Sequence, residues 1–367
     1  MKLNEKKRIA WITPDYFYDV DYPIVGELMA FYDIKWYVIW GKGSKRVIPH
    51  NGNIHKLFES PYRYRDPRVI KLYYELIKDI KANNNDIIYN GFSGIPYFYP
   101  LLFLLFDKKK IVHEGHEIDP YVSVNHDILS VWYTRYFLRR VGHTQVFSRH
   151  AEKQFHVLYP NRECTYVPMV TKDYGAPKHI IPSNKKVFLF FGGVRKTKRF
   201  DVLLDAFLSL DDIVSSQAEL WVYGYCDGPE RDYYLKHAEG RDNIIMKLDF
   251  VPDDLVADLF CSSTYLVQPY QQITQSGPMM IAYHYNLPII ATNIDGFRER
   301  IMDGENGFLF EKNNVNDLKR VLSNCIKQSL EDYTRIKQNA QKFSDSEYGK
   351  GAVISKYRLM LDKIINN

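Results

Sequence analysis

Two short stretches carry the residue types that handle a diphosphate. In FFGGVRKTKRFD (190–201) an apolar run ends on Gly192 and Gly193, and Arg195, Lys196, Lys198 and Arg199 follow before a helical pattern begins. Glycines at a strand end let backbone amides approach a ligand, and the helix start beyond them favours anions. Arginine grips phosphate oxygens two at a time, and lysine neutralises them as a point charge. A solvated basic loop is the plainer alternative. The stretch is not a Walker A loop, because neither GxxxxGKS nor GxxxxGKT occurs, and no GxGxxG follows the strand.

The second stretch is PYQQITQSGPMMIAYHYNLPIIAT (269–292), where an uncharged polar run gives way to an apolar segment of helical length. Pro278 suits a first helical turn, so Ser276 or Gly277 is the expected N-cap. Thr274, Gln275 and Ser276 then stand at a positive helix end with unpaired amides, where carboxylates would repel a diphosphate and uncharged donors would not. Ordinary capping explains one Ser or Thr there, and less easily the whole run.

The elements around these stretches read as alternating strands and helices. Strand-like runs occur at 8–14, 34–40, 86–91, 109–115, 144–150 and 164–170, with helical patterns such as RVIKLYYELIKDI (68–80) and DILSVWYTRYFLRRV (127–141) between them. After TKDYGAPKHIIPSNKK (171–186), a Pro- and Gly-bearing break, the alternation restarts at 187–193 and continues through 218–224, 243–251, 264–270 and 287–292. Such alternation predicts two α/β domains with doubly wound parallel sheets, which bind ligands at strand carboxyl ends facing a cleft. The expected boundaries are 1–178 for the first domain, 179–345 for the second, and 346–367 for a C-terminal helix returning to the first.

A length of 367 residues agrees with two domains. Residues 1–180 hold 26 Lys plus Arg against 19 Asp plus Glu, whereas the rest is slightly acidic at 23 against 25. A basic first half suits a phosphate-bearing substrate or an anionic membrane surface, and no basic run argues for nucleic acid. Four scattered cysteines without a CxxC pair, and an N-terminus without a secretory apolar region, lead to the expectation of a cytoplasmic protein. The run IPYFYPLLFLLF (95–106), followed by DKKK, is too short to span a bilayer. It reads as a buried helix, with an interfacial helix as the alternative.

The strand–GG–Arg/Lys loop, the VYG turn, DFVPDDLVADLFCSSTYLVQPY, SGPMMIAYHYNLPIIAT and GFRERIMDGENGFLF together resemble the donor domain of nucleotide-sugar glycosyltransferases of family 4, enzymes of GT-B architecture. The resemblance covers about 190–320 in order and spacing. It implies that Arg195 and Lys198 bind the diphosphate and stabilise its departure. It further implies that Gly193 and Gly224 line the loops, Val251 holds the nucleobase through its backbone, and Thr274, Gln275, Ser276 and Gly277 close over the phosphates. Glu299 is similar to the acid after the last donor-domain strand. The family's pair of glutamates, eight positions apart, is replaced here by Ile273 and Ile281.

On the acceptor side, HEGHEIDP (113–120) ends a predicted strand, and its spacing is neither HExxH nor HxxEH, which excludes a zinc-protease site. The resemblance makes His116 the candidate catalytic histidine, with Glu117 and Asp119 beside it; a satisfied loop histidine or an isolated metal ligand is the alternative. Asp15, Asp19 and Asp21 follow the first strand and are read as orienting an acceptor hydroxyl or capping turns.

The resulting expectation is a retaining glycosyltransferase that uses a nucleotide-diphosphate sugar, UDP ahead of GDP, as co-substrate and needs neither metal nor cofactor. Its acceptor is read as an oligosaccharide or lipid-linked saccharide of surface polysaccharide assembly, reached by peripheral contact with the inner face of the membrane through the basic first domain. The alternatives are an epimerase of the same architecture and a non-catalytic protein binding sugar nucleotides or glycans.

Overall fold

The computed structural model describes residues 6–42, 52–119, 127–273 and 275–366. It divides into two compact units, one reaching to Val170 and taking in the C-terminal stretch from Lys350, the other spanning Thr171–Gly349. Thr274 lies outside the described residues.

The first unit is built on seven strands: β1 (Arg8–Pro14), β2 (Asp33–Trp40), β3 (Ile54–Glu59), β4 (Ile87–Asn90), β5 (Ile111–Gly115), β6 (His143–Val146) and β7 (Glu163–Tyr166). They form one parallel sheet in the order β3-β2-β1-β4-β5-β6-β7. Side chains alternate across a strand, so both faces of β1 must be covered. Ala10 and Ile12 join one buried cluster with Tyr73, Leu76, Phe98 and Tyr99. Ile9 and Trp11 join the other with Trp36, Tyr89, Val353 and Tyr357. The helix Lys350–Asn366 therefore caps the second face through Val353, Tyr357, Met360 and Leu361. Each such side chain contributes about 1.5–3 kcal/mol when fully buried.

The second unit holds β8 (Lys186–Phe191), β9 (Ala218–Tyr223), β10 (Ile244–Lys247), β11 (Tyr265–Gln268), β12 (Ile289–Thr292) and β13 (Gly307–Phe310), again parallel, in the order β10-β9-β8-β11-β12-β13. The segment 171–178, expected with the first domain, is tied to this unit instead. The Lys172 amide donates to the Met280 carbonyl, the Tyr174 amide to the Tyr285 hydroxyl, and the Lys178 amide to Asp258 at 2.6 Å.

Strand order reverses direction between β1 and β4 in the first sheet and between β8 and β11 in the second. These are the switch points at which parallel sheets open a crevice at their carboxyl ends. The chain leaves them through Pro14-Asp15 and Asn90-Gly91 in one unit, and through Phe191-Gly192 and Gln268-Pro269 in the other.

Candidate functional site

At the second unit's switch point, two glycines make the loop possible. Gly192 has φ +102° and Gly224 has φ +152°, and a Cβ on Gly224 would stand 2.2 Å from the Gly192 carbonyl oxygen. The Gly192 amide donates to the Tyr223 carbonyl and the Val194 amide to the Tyr225 carbonyl, so the loops after β8 and β9 are laced together. Gly193 lies in the same loop, 3.7 Å from Arg195 Nε measured from its would-be Cβ.

A tight turn at Lys196–Lys198 then sorts the four cations. Lys196 lies 3.8 Å from Glu230, and Arg199 is bound to Asp201 at 2.8 Å and to Asn313. Arg195 and Lys198 have no carboxylate partner among the described residues. The Lys198 ammonium reaches back to 3.0 Å from the place a Gly192 Cβ would occupy and lies 5.2 Å from the centre of the Tyr270 ring. Desolvation, with Arg195 adding repulsion, pushes its pKa down to about 8.

The polar run folds onto the same place. The Gln271 amide donates to the Thr197 carbonyl at 2.9 Å, and Pro278 Cγ lies 3.7 Å from the would-be Cβ of Gly192. The helix Gly277–His284 is capped by Ser276, whose hydroxyl accepts from the Met279 amide at 3.2 Å and from Gln268 Nε2 at 2.6 Å. Gly277 leaves open space where a side chain would stand, and Gln275 beside it is half-buried. The helix therefore aims its positive end at the loop that carries Lys198, an arrangement suited to an anion.

Other residues of this unit take separate places. Val251 is half-buried just beyond β10, and Arg231 clamps the β9 and β10 loops by donating to the Cys226 and Leu248 carbonyls. Glu299 forms an ion pair with buried Arg300 at 3.0 Å. Ile281 lies in the core, and Ile273 fills the space that a side chain on Gly296 would need. Neither isoleucine offers the polar contact of the glutamate it replaces.

The first unit's switch point is built from acids and rings. His116 Nε2 lies 2.9 Å from Glu114 Oε1, and the imidazole is stacked 3.3 Å from the Phe17 ring, with Phe147 at 4.5 Å. Glu114 is 1% exposed, and burial pushes its carboxyl up to about 8. A Cβ on Gly91 would stand 2.6 Å from Glu114 Oε2, so the glycine at the end of β4 makes room for this carboxyl. His113, from the same motif, points to different work: it is buried against the Tyr99 hydroxyl at 2.6 Å, and burial pushes it down to about 3.

The aspartates separate. Asp15 is largely buried and accepts from the Tyr64 hydroxyl at 3.1 Å, while Asp19 is exposed on the helix Tyr18–Leu28. Asp21, expected to orient an acceptor hydroxyl, is fully buried and accepts from the Trp11 indole at 3.0 Å and from the Thr13 hydroxyl. Desolvation first, then Glu114, hold its carboxyl well above the usual range, so it serves the interior. Glu117 is half-buried, and Asp119 is drawn to Arg135 at 3.1 Å, onto the flank of a neighbouring helix. Glu114 is the residue that sequence reasoning passed over. Its signal was the two-residue spacing from His116 at a strand end. Among the described residues no three His, Cys, Asp or Glu side chains group as metal ligands.

Two parallel-sheet α/β units, each opening at its switch point, have the GT-B architecture. The fold resembles that of sucrose-phosphate synthase from Thermosynechococcus elongatus, with TM-score 0.76 and 14% identity over 98% of this chain and 100% of that one. It also resembles Anabaena HepE in complex with UDP and glucose, with TM-score 0.71 and 14% identity over 97% of this chain and 100% of that one. An uncharacterized glycosyltransferase of Methanocaldococcus jannaschii is 22% identical over 286 residues, 72% of this chain and 70% of that protein. Residues 173–343 match the family model described as Glycosyl transferases group 1, and this match together with the glycosyltransferase relative makes the chain a glycosyltransferase.

Proposed function

We propose that the enzyme moves a sugar from a UDP-sugar to a saccharide acceptor, carried on a lipid, in surface polysaccharide assembly at the inner face of the membrane. The observation that carries the donor assignment is the pair Arg195 and Lys198, without carboxylate partners among the described residues, beside the N-terminus of the helix Gly277–His284. A structural neighbour, HepE, is described in complex with UDP and with UDP-glucose, which supports a uridine nucleotide.

In this reading the diphosphate displaces water from the loop at Gly192 and Gly193. Arg195, Lys198 and the amides at the start of the helix Gly277–His284 take up the negative charge that grows as the sugar–phosphate bond lengthens. A retaining transfer lets the departing phosphate accept the acceptor's proton on the same face, so no strong base is required and no metal enters. His116, held by Glu114, handles the acceptor hydroxyl. Gln268 keeps Ser276 in its capping place beneath the phosphates.

The test is a thermal-shift series with UDP, GDP, ADP, dTDP and CMP on the wild type and Arg195→Ala. A ligand at about 100 times its dissociation constant adds about 2.7 kcal/mol of stability. UDP should raise the wild-type Tm and leave the variant's unchanged. A shift by another nucleotide alone, or an equal shift in both proteins, would overturn the assignment.

A further inference from the structure

We propose that an aromatic ridge on the outer surface of the first unit docks the enzyme on an anionic lipid bilayer. The ridge starts on the helix Ile128–Leu138, whose inner side buries Ser130, Tyr133 and Phe137. Residues four apart share one side of a helix, and here Ile128, Trp132 and Tyr136 form such a row. Ile128 is 75% exposed and Trp132 62% exposed, although both are large and apolar. Trp132 and Tyr136 stack with ring centres 5.5 Å apart.

The row continues onto a second helix, Phe98–Leu105, where the Phe103 ring lies 6.1 Å from Tyr136. Its neighbour Leu104 is 78% exposed. This is the apolar run that reads as a buried helix, with an interfacial helix as the alternative: Phe98, Tyr99 and Leu102 are buried, and Leu104 is not.

Cations frame the ridge. The Arg140 guanidinium lies 4.1 Å from the centre of the Tyr136 ring, and the Lys108 ammonium lies 5.6 Å from that of Phe103. Among the described acids close by in sequence, Asp127 is paired with Arg65, Asp119 with Arg135, and Asp107 caps the turn Lys108–Lys110 through the Lys109 amide. Exposed Trp, Ile and Leu flanked by Lys and Arg that form no ion pair among the described residues match the interface of a bilayer with anionic headgroups, where apolar side chains enter the acyl boundary and cations meet phosphate. A protein partner of ordinary composition offers no such uniform negative plane. No described helix is long and apolar enough to cross a membrane, so the contact is peripheral.

The inference deepens, and rests on, the reading of a lipid-carried acceptor. It is tested without any acceptor, by flotation of the intact protein with vesicles of phosphatidylcholine alone and of phosphatidylcholine mixed with phosphatidylglycerol. Wild type should float with the mixed vesicles and not with the neutral ones, and salt should weaken the binding. Lys108→Gln with Arg140→Gln should lower the partition roughly 25-fold, about fivefold for each charge. Ile128→Ser with Trp132→Ser should lower it at least about tenfold; both positions are exposed, so folding is preserved.

Binding that ignores lipid charge, or that survives both double variants, would overturn the proposal. So would self-association that Ile128→Ser with Trp132→Ser abolishes, because a second copy would then cover the ridge. A UDP-induced thermal shift in the same samples separates the two readings. Vesicle binding lost with the shift retained sinks the docking surface alone, and the reverse sinks the donor assignment alone.

Discussion

The two switch points are poised by the same physics with opposite sign. In the second unit a cation is desolvated with no carboxylate partner among the described residues, and the Lys198 pKa falls to about 8. In the first unit an acid is desolvated, and the Glu114 pKa rises to about 8. Each site disfavours its own charged form and so sits close to neutrality, where a small change of partner moves a proton. The difference lies in who supplies the partner. Glu114 has His116 at 2.9 Å within its own unit, whereas among the described residues the charged neighbour of Lys198 is Arg195, which repels it. The first pair, bonded through one Glu114 oxygen while the other is buried without a partner among the described residues, can orient a group, and the second pair waits for a ligand.

Removing the unsatisfied pair should therefore cost most. Arg195→Ala and Lys198→Ala should each lower the rate by about 10²-fold or more, the scale of one lost transition-state donor, and together by about 10⁴-fold if they act independently. Nucleotide affinity should fall in step. Steady-state kinetics with normal values in both single variants would dissolve the contrast between the two sites.

His116→Ala should show the complementary pattern. Transfer should fall by about 10²-fold, the scale of a misplaced acceptor hydroxyl, while UDP affinity stays at the wild-type value. Isothermal titration with UDP decides it: weakened nucleotide binding would move His116 out of its acceptor role.

Glu114→Gln is a milder break, because an amide can still hydrogen-bond the imidazole. About a tenfold drop in kcat is expected with the donor KM unchanged. Stability adds a second readout with a definite sign. The folded protein holds the Glu114 proton up to about 8, against the ordinary 4.5, so between those values it binds more protons than the unfolded chain. Wild-type stability should then fall as pH rises through that window, and the fall should be shallower in Glu114→Gln. Identical Tm-against-pH curves would show that Glu114 is not the buried acid it looks to be.

What the chain reveals before folding is uneven, for identifiable reasons. β1 and β2 are plain in RIAWITP and IKWYVIW because both faces of a central parallel strand are buried. β3, in IHKLFE, escapes because it is an edge strand with His55, Lys56 and Glu59 turned to water. In the loop after β8, sequence yields four cations and cannot rank them by partner. Ranking needs Glu230, Asp201 and Asn313, and the last is 114 residues from the arginine it holds. Asp21 misleads for the same reason, since nothing local announces that the Trp11 and Thr13 side chains converge on it.

The smallest effect tests the poise of Lys198 itself. Only the protonated ammonium attracts the diphosphate, and with the free-site pKa at about 8 its charged fraction shrinks as pH rises. UDP affinity should fall about twofold from about pH 7 to about pH 8, and by up to roughly tenfold for each further unit. Binding should take up a proton across that range, because the bound diphosphate raises the lysine's pKa again. Titrations in buffers of different ionisation enthalpy would register that uptake. Lys198→Arg should flatten the profile, since a guanidinium stays charged throughout. If the arginine variant instead keeps the wild-type slope, the titrating group lies elsewhere and Lys198 is an ordinary phosphate lysine. If the slope vanishes, its burial under Gly192 and beside Tyr270 is what couples nucleotide binding to pH.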